Sequence, residues 1–267
     1  MTTAVVLSGG GSLGAVQAGM LLALDEAGVV PDLIVGTSVG AINAAYVAGR
    51  AWPGATEGID TIWTGITRAD VFPLSVRRVV RAARGHSDHA VPSEGLRALV
   101  SRYLPYEQIE DAAVRLAVVA TDVMTGHEVV LTSGSVVDAV MASAALPGVF
   151  PPVMVAERML IDGGLVNHTP VTVAADLGAD RIFVLPTGYA CALPSPPASA
   201  LGMALHAFSL AVHQRLASDV VELAARVELH VAPPLCPLWF AVFAVFLYSQ
   251  IEALKVANLA GIKFQSK

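Results

Sequence analysis

The stretch Gly36-Thr37-Ser38-Val39-Gly40 lies between an apolar, strand-like run, Leu33-Ile34-Val35, and a helix-like run over residues 41–48. A serine at so tight a strand-to-helix turn has its hydroxyl pushed clear of the backbone, and only small flanking residues let the turn close. The helix that follows directs its unpaired N–H groups and positive dipole end at the serine, which favours negative charge there by about 0.3–1 kcal/mol. Ser38 is therefore a candidate nucleophile. Serine is also among the commonest helix N-caps, and the pentapeptide alone leaves both readings open.

Upstream, residues 4–7 read as a short buried strand, followed by Gly9-Gly10-Gly11-Ser12-Leu13-Gly14 and a helix from about residue 15. Ala18, Leu21, Leu22 and Leu24 give that helix its apolar positions, and Gly28 ends it. Gly9, Gly11 and Gly14 also satisfy G-x-G-x-x-G, so a dinucleotide site competes for this loop. Such a site wants an acidic residue at the end of the second strand to hold a ribose. Here that strand runs into Gly36-Thr37-Ser38, and Asp32 precedes it at the opposite end. Consecutive glycines suit another task, because they leave backbone N–H groups unshielded and able to converge on one oxygen. In a parallel sheet the loops after the first two strands open at the same carboxyl edge, so Gly10 and Gly11 can face Ser38.

Further along, residues 52–104 carry no strand pattern and read as a helical insertion that covers or borders the site, with a helix start at Pro92-Ser93-Glu94. Arg77, Arg78, Arg81 and Arg84 gather along one side of a helix there, either as a solvated face or as an attraction for an anionic lipid surface. His86 and His89 stand in a polar loop whose spacing makes no metal site. Strands are expected over 116–120 and 127–131, a helix over 136–145, and a hairpin from 153–155 and 159–161 that ends in Asp162-Gly163-Gly164. An aspartate before two glycines is commonly a turn residue. Asp162, however, follows the apolar Met159-Leu160-Ile161, which would carry it to the sheet edge where sites in such folds collect. From there its carboxylate could accept the Ser38 proton as the hydroxyl attacks. A helix over 171–177, a strand over 181–185, a Pro-rich loop at 193–197, a long helix over 201–225 and a last strand over 227–231 complete the domain.

Composition bounds the rest. With 55% of the 267 residues apolar and 14% charged, the chain is excluded from the disordered class and fits one α/β domain whose sheet is buried on both faces. A net charge of −6 argues against nucleic acid as a partner. Cys191 and Cys236 are too few for a disulfide framework and lack metal-type spacing, which points to a reducing, cytoplasmic setting. No signal peptide is expected, and no apolar run reaches the roughly 18–20 residues that span a bilayer, so the chain is expected to be soluble or to lie on a membrane surface. The last 30 residues differ from the rest. Residues 238–248 are an apolar run, and all three lysines, Lys255, Lys263 and Lys267, follow it, whereas every earlier Lys/Arg position is arginine. Residues 238–267 are therefore set apart as an atypical tail, suited to contact a membrane or a partner.

Four blocks now stand in order: Gly9 to Gly14, Gly36 to Gly40, Ala142-Ser143-Ala144-Ala145-Leu146-Pro147 and Asp162-Gly163-Gly164. In this the chain resembles the patatin-like phospholipases over roughly residues 4–231. The resemblance implies a three-layer α/β/α fold with a mainly parallel central sheet and a domain over 1–237. It implies a Ser-Asp dyad on Ser38 and Asp162 without histidine, an oxyanion loop of Gly9, Gly10, Gly11 and Gly14, and an acyl lipid or ester substrate with neither metal nor cofactor. Family members often carry Arg or Lys where this chain has Leu13, a cation linked to stabilising the loop or meeting a phosphate. Three other readings remain beside it: a Ser-His-Asp esterase using His168, His206 or His213, an inactive lipid-binding or regulatory protein, and a nucleotide-binding module.

Overall fold

The computed structural model describes residues 1–73, 84, 87–188, 196–197 and 199–232. Side chains that alternate along the strands account for the layers. In β1 (Thr3–Leu7), Val5 and Leu7 enter one core while Ala4 and Val6 enter another. The same alternation holds in β2 (Leu33–Thr37), β3 (Arg115–Asp122) and β7 (Arg181–Leu185), so Ile34, Val118 and Phe183 share the first core and Val35, Val119 and Val184 the second. Strands apolar on both faces need helices on both sides. The first face is covered by α1 (Gly14–Glu26), α2 (Val39–Ala48) and α6 (Val136–Ser143), and the second by α7 (Val171–Asp176) and α8 (Ala200–Leu223). This is the three-layer α/β/α architecture expected from the sequence.

The sheet has the order β5 (Val153–Val155), β6 (Arg158–Asp162), β3, β2, β1, β7 and β8 (Glu228–Val231), with β4 (Glu128–Leu131) also paired to β3. β1, β2, β3, β7 and β8 run parallel. β4 and β6 run antiparallel to β3, and β5 forms the expected hairpin with β6.

Within the segment 52–104, α3 (Ile59–Gly65), α4 (Arg68–Val71) and α5 (Glu94–Tyr103) are helical, and Ile59, Trp63, Leu96 and Val100 are buried in the first core. Burial of this kind ties that part of the segment to the body of the domain rather than leaving it as a detached cover. The expected helix with Arg77, Arg78 and Arg81 lies outside the described residues, as do His86, Cys191, Cys236, residues 189–195 of the Pro-rich region and the tail at 238–267; Arg84 stands in a turn. Among the described residues no helix is long and apolar enough to cross a membrane.

Candidate active site

Ser38 sits at the turn from β2 to α2 with φ +56°, a left-handed conformation that costs a non-glycine residue energy. The turn is tight because backbone closes on it. A Cβ at Gly36 would come within 2.5 Å of the Gly40 carbonyl oxygen, and one at Gly40 within 2.3 Å of the Leu7 oxygen. Ser143, fully buried on α6, holds the elbow from beneath: its hydroxyl accepts from the Ser38 N–H at 2.8 Å and donates to the Val119 carbonyl at 2.6 Å. As for the N-cap reading, α2 receives no side-chain cap from Ser38. The Ser38 hydroxyl instead donates to Asp162 Oδ2 at 2.6 Å.

Strand register explains how residues 124 positions apart meet. β2 pairs with β3 from Arg115 to Val119, where Thr37 is the last partner, and β6 pairs with β3 from Ala120 to Asp122, where Asp162 faces Ala120. β4 overlaps both stretches and must occupy the other edge of β3. Hence β2 and β6 share one edge of β3 end to end, and the elbow leaves that edge where the aspartate arrives. A Cβ at Gly163 would lie 2.2 Å from the Val119 oxygen at this junction, so the D-G-G turn needs glycine there. Thr37 Oγ1 donates to the Asn167 carbonyl at 3.0 Å and Thr121 Oγ1 to the Asp162 carbonyl at 2.9 Å, tying both sides of the junction.

Asp162 is buried, and its desolvation pushes the carboxyl up to about 6, against the opposing pull of hydrogen bonds from Ser38 Oγ and the Gly164 N–H. At neutral pH the group is ionised yet close enough to its titration to exchange a proton readily, as a general base requires.

The glycine loop divides its amides. The Gly9 N–H donates to the His168 carbonyl at 2.9 Å, and the Gly14 N–H closes a 3₁₀ turn over Gly11–Leu13. Both of these amides are thus already engaged by backbone carbonyls. Gly14 is instead a packing position, since a Cβ there would meet Val39 at 2.3 Å and Trp63 at 2.7 Å. Gly10 and Gly11 are half-exposed, and neither amide donates to a described residue. Beneath them runs a buried chain of side-chain amides that sequence reasoning missed. Gln17 Nε2 donates to the carbonyls of Ser8 and Leu185, both at 2.9 Å, joining the ends of β1 and β7. Asn43 Nδ2 donates to Gly14 O at 2.9 Å and Gln17 Oε1 at 3.2 Å, and Trp63 Nε1 donates to Asn43 Oδ1 at 2.9 Å. Gln17 and Asn43 are each polar residues amid the apolar faces of α1 and α2, a mismatch that could have flagged them.

Among the histidines, His168 packs beside the loop, where a Cβ on Gly9 would fall 2.9 Å from its Nδ1. His206 is half-buried on α8, and the His213 side chain lies outside the described residues. The Ser38–Asp162 contact is direct, with no imidazole interposed. No cluster of three His, Cys, Asp or Glu side chains that could hold a metal occurs among the described residues.

The family model described as patatin-like phospholipase matches residues 5–175. An uncharacterised NTE family protein of Mycobacterium tuberculosis is 33% identical over 182 residues, covering 67% of this chain and 29% of that protein. The lysophospholipase nte1 of Aspergillus terreus is 32% identical over 196 residues, covering 69% of this chain and 12% of its own length. This chain thus spans less than a third of these relatives. Among solved structures, VipD from Legionella pneumophila superposes with a TM-score of 0.50 at 14% identity, covering 97% of this chain and 67% of that one, a likeness of fold alone. Because the matched span takes in the glycine loop, the Ser38 elbow, the Ser143 helix and the Asp162 turn, the chain belongs to the patatin-like phospholipase family.

Proposed function

We propose that this chain is a lipid acyl hydrolase that cleaves carboxylic esters through Ser38 and Asp162. The observation that carries the reading is the 2.6 Å hydrogen bond from Ser38 Oγ to the buried Asp162 carboxylate. As Ser38 Oγ bonds to the acyl carbon, its proton passes to Asp162 Oδ2, so no free alkoxide forms. The carbonyl electrons move to oxygen, and the Gly10 and Gly11 amides receive that charge. Collapse of the tetrahedral adduct breaks the ester C–O bond, and the departing alcohol takes the proton back from Asp162. Water then gives a proton to Asp162 and attacks the acyl-serine, releasing the fatty acid and restoring the hydroxyl. The direct carboxylate–serine contact favours this route over an esterase triad. The substrate is an acyl lipid ester, in keeping with family membership and with the name of the Aspergillus relative.

The test is labelling with a fluorophosphonate followed by peptide mapping. The adduct is expected on Ser38, and Ser38→Ala should lose both labelling and hydrolysis of short nitrophenyl esters. Parental hydrolysis by Ser38→Ala would end the proposal.

A further inference from the structure

We infer that Thr187, at the carboxyl end of β7, is a positioning residue that sets the plane of the Gly9–Gly10 peptide and so aims the Gly10 amide at the developing oxyanion. The inference rests on Ser38 being the nucleophile. Thr187 is 2% exposed, and its hydroxyl donates to the Gly9 carbonyl at 2.5 Å. Its own N–H donates to Ser8 Oγ at 2.9 Å, and that hydroxyl reaches the same Gly9 carbonyl at 3.1 Å. Two hydroxyls thus converge on one carbonyl, filling the lone pairs a peptide oxygen offers.

In a trans peptide the C=O of one residue and the N–H of the next point in opposite directions. The sheet order places β1 between β7 and β2. A Gly9 carbonyl turned to β7 therefore sends the Gly10 N–H toward β2, whose end carries the elbow, and on that side a Cβ built on Gly9 would lie 3.3 Å from the Ser38 Cβ. The neighbouring plane is fixed as well, because the Gly10 carbonyl accepts from the Leu13 N–H at 3.2 Å and leaves the Gly11 N–H facing away from Leu13.

A lock is needed because the peptide lies between two glycines. With no Cβ on either side, the Gly9–Gly10 peptide can flip at little steric cost. The flipped plane would present a carbonyl oxygen where negative charge develops, replacing attraction with repulsion. Thr187 also packs against Gly10 so closely that a Cβ there would meet Thr187 Oγ1 at 2.2 Å, so position 10 must remain the glycine that leaves this peptide in need of a lock.

Thr187→Val keeps the shape and removes the hydrogen bond. On a nitrophenyl ester it should lower kcat about ten-fold, less than the 10²–10³ lost when an oxyanion donor is deleted outright, with KM within two-fold. The inhibition constant of a trifluoromethyl ketone, which forms a tetrahedral adduct, should rise by the same factor, and Thr187→Ser should return both values to within three-fold of the parent. Parental kcat and inhibitor affinity in Thr187→Val, or a Ser variant no better than the Val one, would overturn the inference while leaving the nucleophile assignment intact. If circular dichroism shows Thr187→Val to be unfolded, Thr187→Ala carries the same comparison. A parent chain that neither hydrolyses the ester nor takes up a fluorophosphonate would defeat the proposed function itself, and this inference with it.

Discussion

Ser38 and Asp162 touch, yet the elbow that presents the first and the turn that presents the second are held by different forces. The elbow is a steric device. Glycines two residues before and after the serine let backbone close to distances no side chain tolerates, and the serine pays with a left-handed φ of +56°. The acid turn is a device of register and desolvation. Asp162 is carried in on β6, meets Ala120 across the β3 edge, and is raised to about 6 by burial. Geometry on one side and electrostatics on the other should therefore respond to different substitutions.

The sharpest break in that contrast is Asp162→Asn, which preserves shape and removes charge. We expect kcat to fall by about 10³–10⁴, the scale seen when a buried catalytic carboxylate is neutralised. Stability should move the opposite way. The folded carboxyl titrates near 6, above the unfolded value near 3.8, so its protonation stabilises the fold fully below about 3.8 and that contribution is gone above 6. At pH 8 the ionised group burdens the fold by up to roughly 3 kcal/mol, which the amide removes. Thermal unfolding should show Asp162→Asn more stable than the parent at pH 8 and level with it near pH 3.5. In the unmodified chain, kcat/KM should rise with pH through about 6 as the base ionises, and a profile flat from pH 4.5 to 8 would mean that Asp162 is not the titrating base.

The elbow should show the reverse pattern, with loss of fold rather than a shift in titration. Gly40→Ala sets a methyl 2.3 Å from the Leu7 oxygen and 2.5 Å from the Ser8 oxygen, backbone atoms that cannot swing aside. Denaturant unfolding should report a loss of about 3 kcal/mol, nearly independent of pH. Ser143→Ala is milder, since it leaves the Ser38 N–H without its hydroxyl acceptor but displaces nothing. A loss of about 2 kcal/mol in stability is expected, with a lowered kcat as the serine loosens. If Ser143→Ala leaves both untouched, the elbow stands on its glycines alone.

This difference also governs what could be read from the chain. The elbow's constraints lie within five residues, so Gly36, Ser38 and Gly40 declare themselves locally. Strands apolar at every position announced a sheet covered on both faces. Asp162 was legible as a residue delivered to the sheet edge, but not that β6 continues the very edge that β2 leaves, because pairing of strands so distant in sequence has no local signature. Thr187 on Gly9 and Ser143 on Ser38 act across 178 and 105 positions, and hydroxyls of that kind resemble any other buried threonine or serine. In the glycine loop, the sheet-edge argument already singled out Gly10 and Gly11 as the residues that can face Ser38. The folded hydrogen bonds add a further distinction: the Gly9 amide is held by His168 and the Gly14 amide by the 3₁₀ turn, whereas those of Gly10 and Gly11 donate to no described residue.

The smallest expected effect tests the tie between the two regions. Thr37 is fully buried at the last rung of β2 before the elbow, and its hydroxyl donates to the Asn167 carbonyl just beyond the acid turn. Valine has the same outline, so Thr37→Val removes one hydrogen bond and strands one buried carbonyl without opening a cavity. The expected loss is about 1 kcal/mol, or some five-fold in the unfolding constant. If the bond serves only stability, kcat/KM and its limb near pH 6 should not move. If it also keeps Asp162 against Ser38, loosening it weakens the serine hydrogen bond that pulls the carboxyl down, so the limb should shift to higher pH as kcat falls. The direction of that shift distinguishes a shared scaffold from two regions that merely meet.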